Sequence, residues 1–268
     1  MIKLIATDMD GTLLDENSML PKGFFETLEK LKKRNIKFVA ASGRPYPTLY
    51  KNFQPESDYL EYICDNGSYV VLNDKDPVIN GLGRNVVHAV IKACDDIENV
   101  VVILCGINGA YHMPCSQEFL NEIDKYYIQK HIVDDLYSVD DNIFKIAVCD
   151  LSISAENSYK ILNPLFGEKN KVVVSGALWV DINGKNVNKG AALKEIQKTY
   201  NISYDETMVF GDFYNDIEML KEGHYSFVME NANEDMKKYG NFIAKSNKEA
   251  GVIQAINEYV LKEKTASV

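Results

Sequence analysis

The feature that most constrains this chain is a recurring pattern, a short apolar run that stops abruptly at small polar or acidic residues. Ile2–Ala6 runs into Thr7-Asp8, Ile36–Ala41 into Ser42-Gly43-Arg44, and Thr207–Phe210 into Gly211-Asp212. Tyr62-Ile63-Cys64, followed by Asn66-Gly67, repeats it in shorter form. Such runs, without polar alternation, read as strands buried on both faces. Between them the period changes to that of helices. Pro21 precedes Phe24, Leu28 and Leu31, and Lys189–Tyr200 carries Ala192, Leu193 and Ile196 on one side. Strands alternating with helices predict an α/β fold, a doubly wound and mostly parallel Rossmann-like sheet. Tyr69–Leu72 and Pro77–Ile79 flank Asn73-Asp74-Lys75-Asp76 and predict a hairpin.

The middle of the chain breaks the rhythm. Strands are expected at Val100–Cys105, Ala110–His112, Ile143–Val148, Lys171–Val174 and Leu178–Ile182, and helices near Asn85–Asp96, Gln117–Tyr127 and Ala155–Leu162. Turns at Gly106–Gly109 and Ser175-Gly176 join neighbouring strands as antiparallel hairpins. This is an α+β insertion. The expected organisation is a core from 1–82, an inserted domain over 83–183, and the rest of the core over 184–268, and 268 residues suffice for two cores. In the last part a helix is expected over Asn215–Glu222, a strand over Tyr225–Met229 and a helix over Ala250–Leu261, with Lys262–Val268 fraying.

Composition narrows the partners. A net charge of −10 argues against a nucleic-acid surface, which needs clustered Lys and Arg. The first apolar stretch is too short for a signal-peptide core, and Val100–Cys105 is far below membrane-spanning length. A cytoplasmic protein with no membrane partner is expected. Cys64, Cys94, Cys105, Cys115 and Cys149 show neither paired spacing nor C-x-x-C, so reduced and mostly buried thiols are expected. His88, His112, His131 and His224 lack metal-ligand spacing and read as surface or packing residues.

Ligands of open parallel sheets gather beyond the carboxyl ends of the strands, where the polar motifs fall. In Asp8-Met9-Asp10-Gly11-Thr12, alternate carboxylates on an extended chain point the same way and repel unless a cation or a proton intervenes. Phosphoryl transfer through a carboxylate needs both an ionised nucleophile and a proton donor. Alone, the segment also reads as a solvated acidic turn. Ser42-Gly43-Arg44 offers a hydroxyl and an amide to an anion, although a helix cap explains Ser42 equally well. Asn188-Lys189-Gly190 places a point charge at a helix start, and Gly211-Asp212-Phe213-Tyr214-Asn215-Asp216 brings two further acids. Converging acids with one Lys and one Ser describe a hard-cation site beside a phosphate cradle, which suits Mg²⁺.

Together these motifs resemble the haloacid dehalogenase superfamily of phosphatases, in its Cof-type branch with a type IIB cap, over essentially the whole chain. Asn66-Gly67 and Val228–Ala232 also resemble signatures of that branch, with Glu230 where a glycine is usual. The resemblance implies that Asp8 attacks phosphorus, and that Asp10 protonates the leaving oxygen and then activates water. It implies Mg²⁺ on Asp8, the Asp10 carbonyl and Asp212, with Asp216 behind them. Phosphate is expected at the amides of Met9 and Gly43 and the side chains of Ser42, Lys189 and Asn215. Thr12 is expected to orient the Asp10 turn, Arg44 to support the phosphate loop, and the inserted cap to choose the leaving group. Asn108, Tyr111, His112 and Trp179 read as ordinary cap residues.

The expected function is hydrolysis of small phosphorylated metabolites, foremost sugar phosphates, by a monomer or weak homo-oligomer. A phosphomutase would hold a second phosphate with arginines, but Arg84 is the only one near the insertion. A non-catalytic phosphometabolite sensor would commonly lack the nucleophile or acid, and both are present. A pump's phosphorylation domain would need spanning helices.

Overall fold

The computed structural model describes residues 1–154 and 156–262. They form two compact units, one from Met1–Pro77 with Asn188–Val268 and one from Val78–Val187.

In the first unit, β1 (Leu4–Asp8), α1 (Phe24–Lys33), β2 (Lys37–Ala41), α2 (Tyr46–Asn52), β3 (Glu61–Cys64) and β4 (Tyr69–Val71) precede the crossing into the second unit. There β5 (Val78–Ile79), α3 (Arg84–Cys94), β6 (Val100–Gly106), β7 (Gly109–His112), α4 (Gln117–Ile123) and β8 (Lys130–Ile132) come first. The second unit continues with β9 (Ile143–Asp150), α5 (Ser158–Phe166), β10 (Asn170–Gly176) and β11 (Trp179–Gly184). The first unit resumes with α6 (Lys189–Tyr200), β12 (Thr207–Gly211), α7 (Ile217–Leu220), β13 (Tyr225–Met229), β14 (Phe242–Ala244) and α8 (Gly251–Ile256).

The first unit's sheet runs β14-β13-β12-β1-β2-β3-β4. Every neighbouring pair is parallel except β3 with β4. The central strands β1 and β12 are buried at every position, as helices on both faces require. α1 turns Phe24, Thr27, Leu28 and Leu31 inward. Phe24, Leu28 and Leu31 join Ile5, Phe38, Phe53, Tyr62, Phe210, Phe227 and Ile256 in one core. Register matters most for function: Asp8 pairs with Ala41 and Thr7 with Phe210, so β1, β2 and β12 end level.

The second unit has its own sheet, β10-β11-β9-β6-β7-β8. β6 with β7 and β10 with β11 are antiparallel, as the turn signals predict. Its core gathers Val87, Ile91, Leu104, Ile146, Val148, Leu162 and Ile182.

Several elements differ from the periodicity reading. The edge strands β8 and β14 are short and, in β8, largely polar, so pairing rather than pattern makes them strands. The helix expected through Tyr127 ends at Ile123, and α5 starts at Ser158 rather than Ala155, which lies outside the described residues. The expected helix over Asn215–Glu222 is a 3₁₀ turn, Tyr214–Asp216, followed by α7, confined to Ile217–Leu220. The expected fray concerns residues that are described only to Lys262. All five cysteines are free, and all but Cys115 are buried. No helix of the described residues is long and apolar enough to cross a membrane.

Candidate active site

All the sequence-predicted site residues lie in the first unit, on loops leaving β1, β2 and β12 or at the start of α6. Because these strands end level, residues far apart in sequence meet at one sheet edge.

Lys189 is the centre of the cluster. It is wholly buried, and its Nζ donates to Asp8 Oδ1 and, at 2.7 Å, to Asp216 Oδ1. Two local devices fix its position. Asn188 caps α6, its side chain accepting the Ala191 N–H at 2.8 Å. Gly67 packs against the Asn188 carbonyl so closely that a Cβ would stand 2.5 Å from that oxygen, with φ at +103°. Burial on its own would lower the Lys189 pKa. Asp216 and then Asp8 overcome that and hold the ammonium charged above its usual range.

The acids carry the opposite strain. Burial, then Asp216, pushes Asp8 up to about 8, and Lys189 offsets this only in part. Burial also raises Asp212 to about 6, against the hydrogen bond from Thr12. Asp216 is committed on both oxygens. Oδ1 accepts from Lys189, and Oδ2 accepts the backbone N–H groups of Asp212 and Phe213 at 3.1 Å each. Asp216 therefore holds its neighbours in place, while Asp8 and Asp212 keep oxygens for other partners.

Oxygens of Asp8, Asp212 and Asp216 lie within 4.8 Å of one another. Three acids facing one buried Lys leave a surplus of negative charge, which adds to the larger effect of burial in raising Asp8 and Asp212. An all-oxygen donor set with surplus charge fits a hard divalent cation. Gly11 makes the approach possible: its φ is +82°, and a Cβ there would stand 2.3 Å from Asp212 Oδ2.

The remaining predicted residues fall around this cluster. Thr12 Oγ1 donates to Asp212 Oδ1 at 2.8 Å, so Thr12 orients that carboxylate as well as closing the turn. Ser42 is buried, and its Oγ accepts the Arg44 N–H at 3.1 Å. Met9 is buried at the base of the turn, with its carbonyl accepting the Leu14 N–H at 2.8 Å. Gly43 lies against the side-chain amide of Asn66. Asn215 Nδ2 donates to Asn66 Oδ1 at 3.0 Å.

Asp10 stands apart from the buried acids. Its side chain is 52% exposed, and both its oxygens accept from Arg44, Oδ2 from Nε at 2.9 Å and Oδ1 from Nη2. The carboxylates of Asp8 and Asp10 are thus divided between different cations, a buried lysine and a half-exposed arginine. Arg44 is placed by its side chain on Asp10, while its backbone ties the loop to Ser42 and, through its carbonyl, to the Asp65 N–H.

Two residues of the cluster were not among the expected site residues. Asn66 links Asn215 to the Ser42 loop, since its N–H also donates to the Ser42 carbonyl at 2.9 Å. Asn231 donates to the Gly11 carbonyl at 2.8 Å and accepts the Asn247 N–H, bracing the turn that carries Asp10. A signal existed for Asn66. Asp65-Asn66-Gly67 are three consecutive residues with positive φ, and Asn-Gly is the commonest spelling of such a turn. For Asn231 the signal was its place in Val228–Ala232, the segment that resembles a signature of the same family branch.

Comparison with known proteins agrees with this geometry. The sequence profile of the haloacid dehalogenase-like hydrolases matches residues 5–256. The 5-amino-6-(5-phospho-D-ribitylamino)uracil phosphatase YbjI of Escherichia coli K12 is 33% identical over 98% of this chain and 97% of its own. YcsE of Bacillus subtilis, named for the same activity, is 26% identical over 97% of this chain and 96% of its own. Among solved structures, SMU.1108c of Streptococcus mutans superposes with a TM-score of 0.83 at 29% identity, covering 98% of this chain and 100% of that one. TM0651 of Thermotoga maritima gives 0.87 at 25% identity, covering 96% and 97%. With a profile match over nearly its whole length and a cluster of acids around Lys189 at the sheet edge, this chain belongs to the haloacid dehalogenase-like hydrolases, as a phosphatase.

Proposed function

We propose that this enzyme hydrolyses terminal phosphates of small sugars and sugar alcohols, with Mg²⁺, through a phosphoaspartate on Asp8. The observation that carries this reading is the buried Asp8–Lys189–Asp216 cluster with Asp212 beside it. Asp8 and Asp212 would hold the cation, which supplies positive charge to keep Asp8 ionised and to oppose the charge gathering on the phosphoryl oxygens. Lys189 adds a second, fixed positive charge on the same oxygens. The Ser42–Gly43 loop, with Asn66 and Asn215, forms the other wall of the phosphate site.

In the first step an Asp8 oxygen bonds to phosphorus while the bond from phosphorus to the alcohol oxygen breaks. Asp10, carrying a proton, delivers it to that departing oxygen. In the second step Asp10 takes a proton from water as the water oxygen bonds to phosphorus and the Asp8–phosphorus bond breaks. Asp8 is regenerated and inorganic phosphate leaves.

The substrate class draws on the relatives. The compound named for YbjI and YcsE carries its phosphate on a ribityl chain, a sugar alcohol. A primary phosphate on a polyol is therefore the common element of the sugar-phosphate expectation and the relatives' names. The enzyme is read as cytoplasmic, acting on metabolites rather than on nucleic acid or membrane, as a monomer or weak homo-oligomer. The test is phosphate release from a panel of sugar, sugar-alcohol, flavin and pyridoxal phosphates, in Mg²⁺ and in excess chelator. Release is expected only with Mg²⁺, and most from the first two classes. No release from any compound, or undiminished release in chelator, would refute the proposal.

A further inference from the structure

Inside the acidic motif Gly211–Asp216 stand two aromatic residues that the chemistry does not use. Phe213 is 54% exposed and Tyr214 is 45% exposed, on the loop directly between Asp212 and Asn215. Neither belongs to the apolar core of the unit. Their rings meet edge to face, with centroids 5.0 Å apart and planes at 62°.

The Phe213 backbone and the Tyr214 side chain are each held by a polar contact. The Phe213 N–H donates to Asp216 Oδ2 at 3.1 Å, the same oxygen that accepts from Asp212. The Phe213 backbone is therefore tied to the carboxylate that braces Lys189. Tyr214 Oη donates to Asp235 Oδ2 at 2.9 Å, which fixes the edge against which Phe213 rests. Among the described residues, Phe213 has no other ring partner.

Exposed apolar surface in water is unfavourable in proportion to its area. A loop ligating phosphate and metal needs only small or polar side chains at these positions. An exposed aromatic pair on the loop between Asp212 and Asn215 offers a face to a planar partner. We propose that Phe213 is a specificity-determining residue whose ring stacks on a planar heteroaromatic group at the far end of the leaving alcohol. Tyr214 is its support. The substrate class is thus a phosphorylated polyol bearing a flat nitrogen heterocycle, and a bare sugar phosphate would leave Phe213 unused. This rests on the phosphatase reading above and refines it. Stacking suits such a ring because every heterocyclic base presents a π face to an aromatic side chain.

The test compares kcat/KM for two substrates sharing the same phosphate end, the phosphoribitylaminouracil named for the relatives and plain ribitol 5-phosphate. Phe213→Ala should lower kcat/KM for the first on the order of tenfold, mainly through KM, and leave the second within about twofold. Phe213→Tyr should restore the preference. Phe213→Leu keeps apolar bulk without a π face and should not restore it. Equal losses on both substrates, no loss on either, or a leucine variant as selective as wild type would each overturn the assignment. So would a wild type that hydrolyses ribitol 5-phosphate and ignores the uracil compound. Failure of the phosphatase reading looks different, since wild type would then release phosphate from neither, and this assignment would fall with it.

Discussion

Cation binding to the metal-free protein should expel about one proton at neutral pH, and the number should change with pH in a way the site dictates. Asp8 is pushed up to about 8 and Asp212 to about 6. Both must be ionised to ligate a cation. At pH 7, Asp8 is therefore about nine-tenths protonated and Asp212 about one-tenth, so binding releases roughly one proton. At pH 6 the sum rises to about 1.5, and at pH 8 it falls to about 0.5. Linkage then requires Mg²⁺ affinity to strengthen by about tenfold per pH unit around neutrality, and to flatten above pH 8. Titration calorimetry in buffers of differing ionisation enthalpy measures the released protons directly, and the pH series of dissociation constants gives the slope. Asp8→Asn removes the larger contributor and should cut release at pH 7 to about a tenth of a proton. Proton release near zero at pH 7, or Mg²⁺ affinity flat between pH 6 and 8, would refute the reasoning. Either result would mean that Asp8 is already ionised against Lys189 before a cation arrives.

Three further outcomes follow from the same contacts. Lys189→Met leaves Asp216 buried without its cation, beside an Asp8 that is mostly protonated at pH 7, and should destabilise the chelator-treated protein by about 3–5 kcal/mol at that pH. Chemical denaturation measures it, and a loss under about 1 kcal/mol would show that the cluster is not held by charge. Gly11→Ala sets a Cβ against Asp212 at a φ of +82° and should weaken Mg²⁺ binding at least tenfold while lowering stability by about 1–3 kcal/mol, read by calorimetry and melting. Asp10→Asn should slow phosphorylation of Asp8 far more with a sugar phosphate than with p-nitrophenyl phosphate, whose leaving group needs no proton. Equal losses in pre-steady-state kinetics would remove Asp10 from the acid role.

The parallel core was legible because its strands are unbroken apolar runs ending in polar loops, a pattern that local sequence carries whole. Register was legible only by implication. Nothing in Ile2–Ala6 or Thr207–Phe210 states that Thr7 lies beside Phe210, yet that pairing brings Asp212 to Asp8. The edge strands β8 and β14 were not legible. Phe242–Ala244 is a strand because β13 offers free backbone groups, not because its own residues alternate. At the site, the identities of Asp8, Lys189, Asp212 and Asp216 could be read from motif spacing, but their partners could not. The bond from Thr12 to Asp212 spans two hundred residues of sequence. The bridge from Asn215 to Asn66 spans 149 and depends on a left-handed turn whose purpose appears only when α6 packs against it.

Asp10 shows why partner choice matters more than residue identity. A carboxylate that must hand over a proton and later take one back needs a pKa near the working pH. Both Asp10 oxygens accept from Arg44, so a contact from Asp10 to a leaving oxygen or to water requires that pair to loosen. The same guanidinium is a fork built for phosphate as well as for carboxylate. A substrate phosphate arriving beside Ser42, to whose hydroxyl Arg44 is tied by its own N–H, offers a more highly charged acceptor than Asp10. If Arg44 shifts to that phosphate, both Asp10 oxygens are freed for the leaving group. Once phosphate departs, the Arg44–Asp10 contact can form again. The access of Asp10 to a bound ligand can therefore be set by which anion Arg44 holds, an alternation that neither the D-x-D spacing nor the S-G-R triplet expresses by itself.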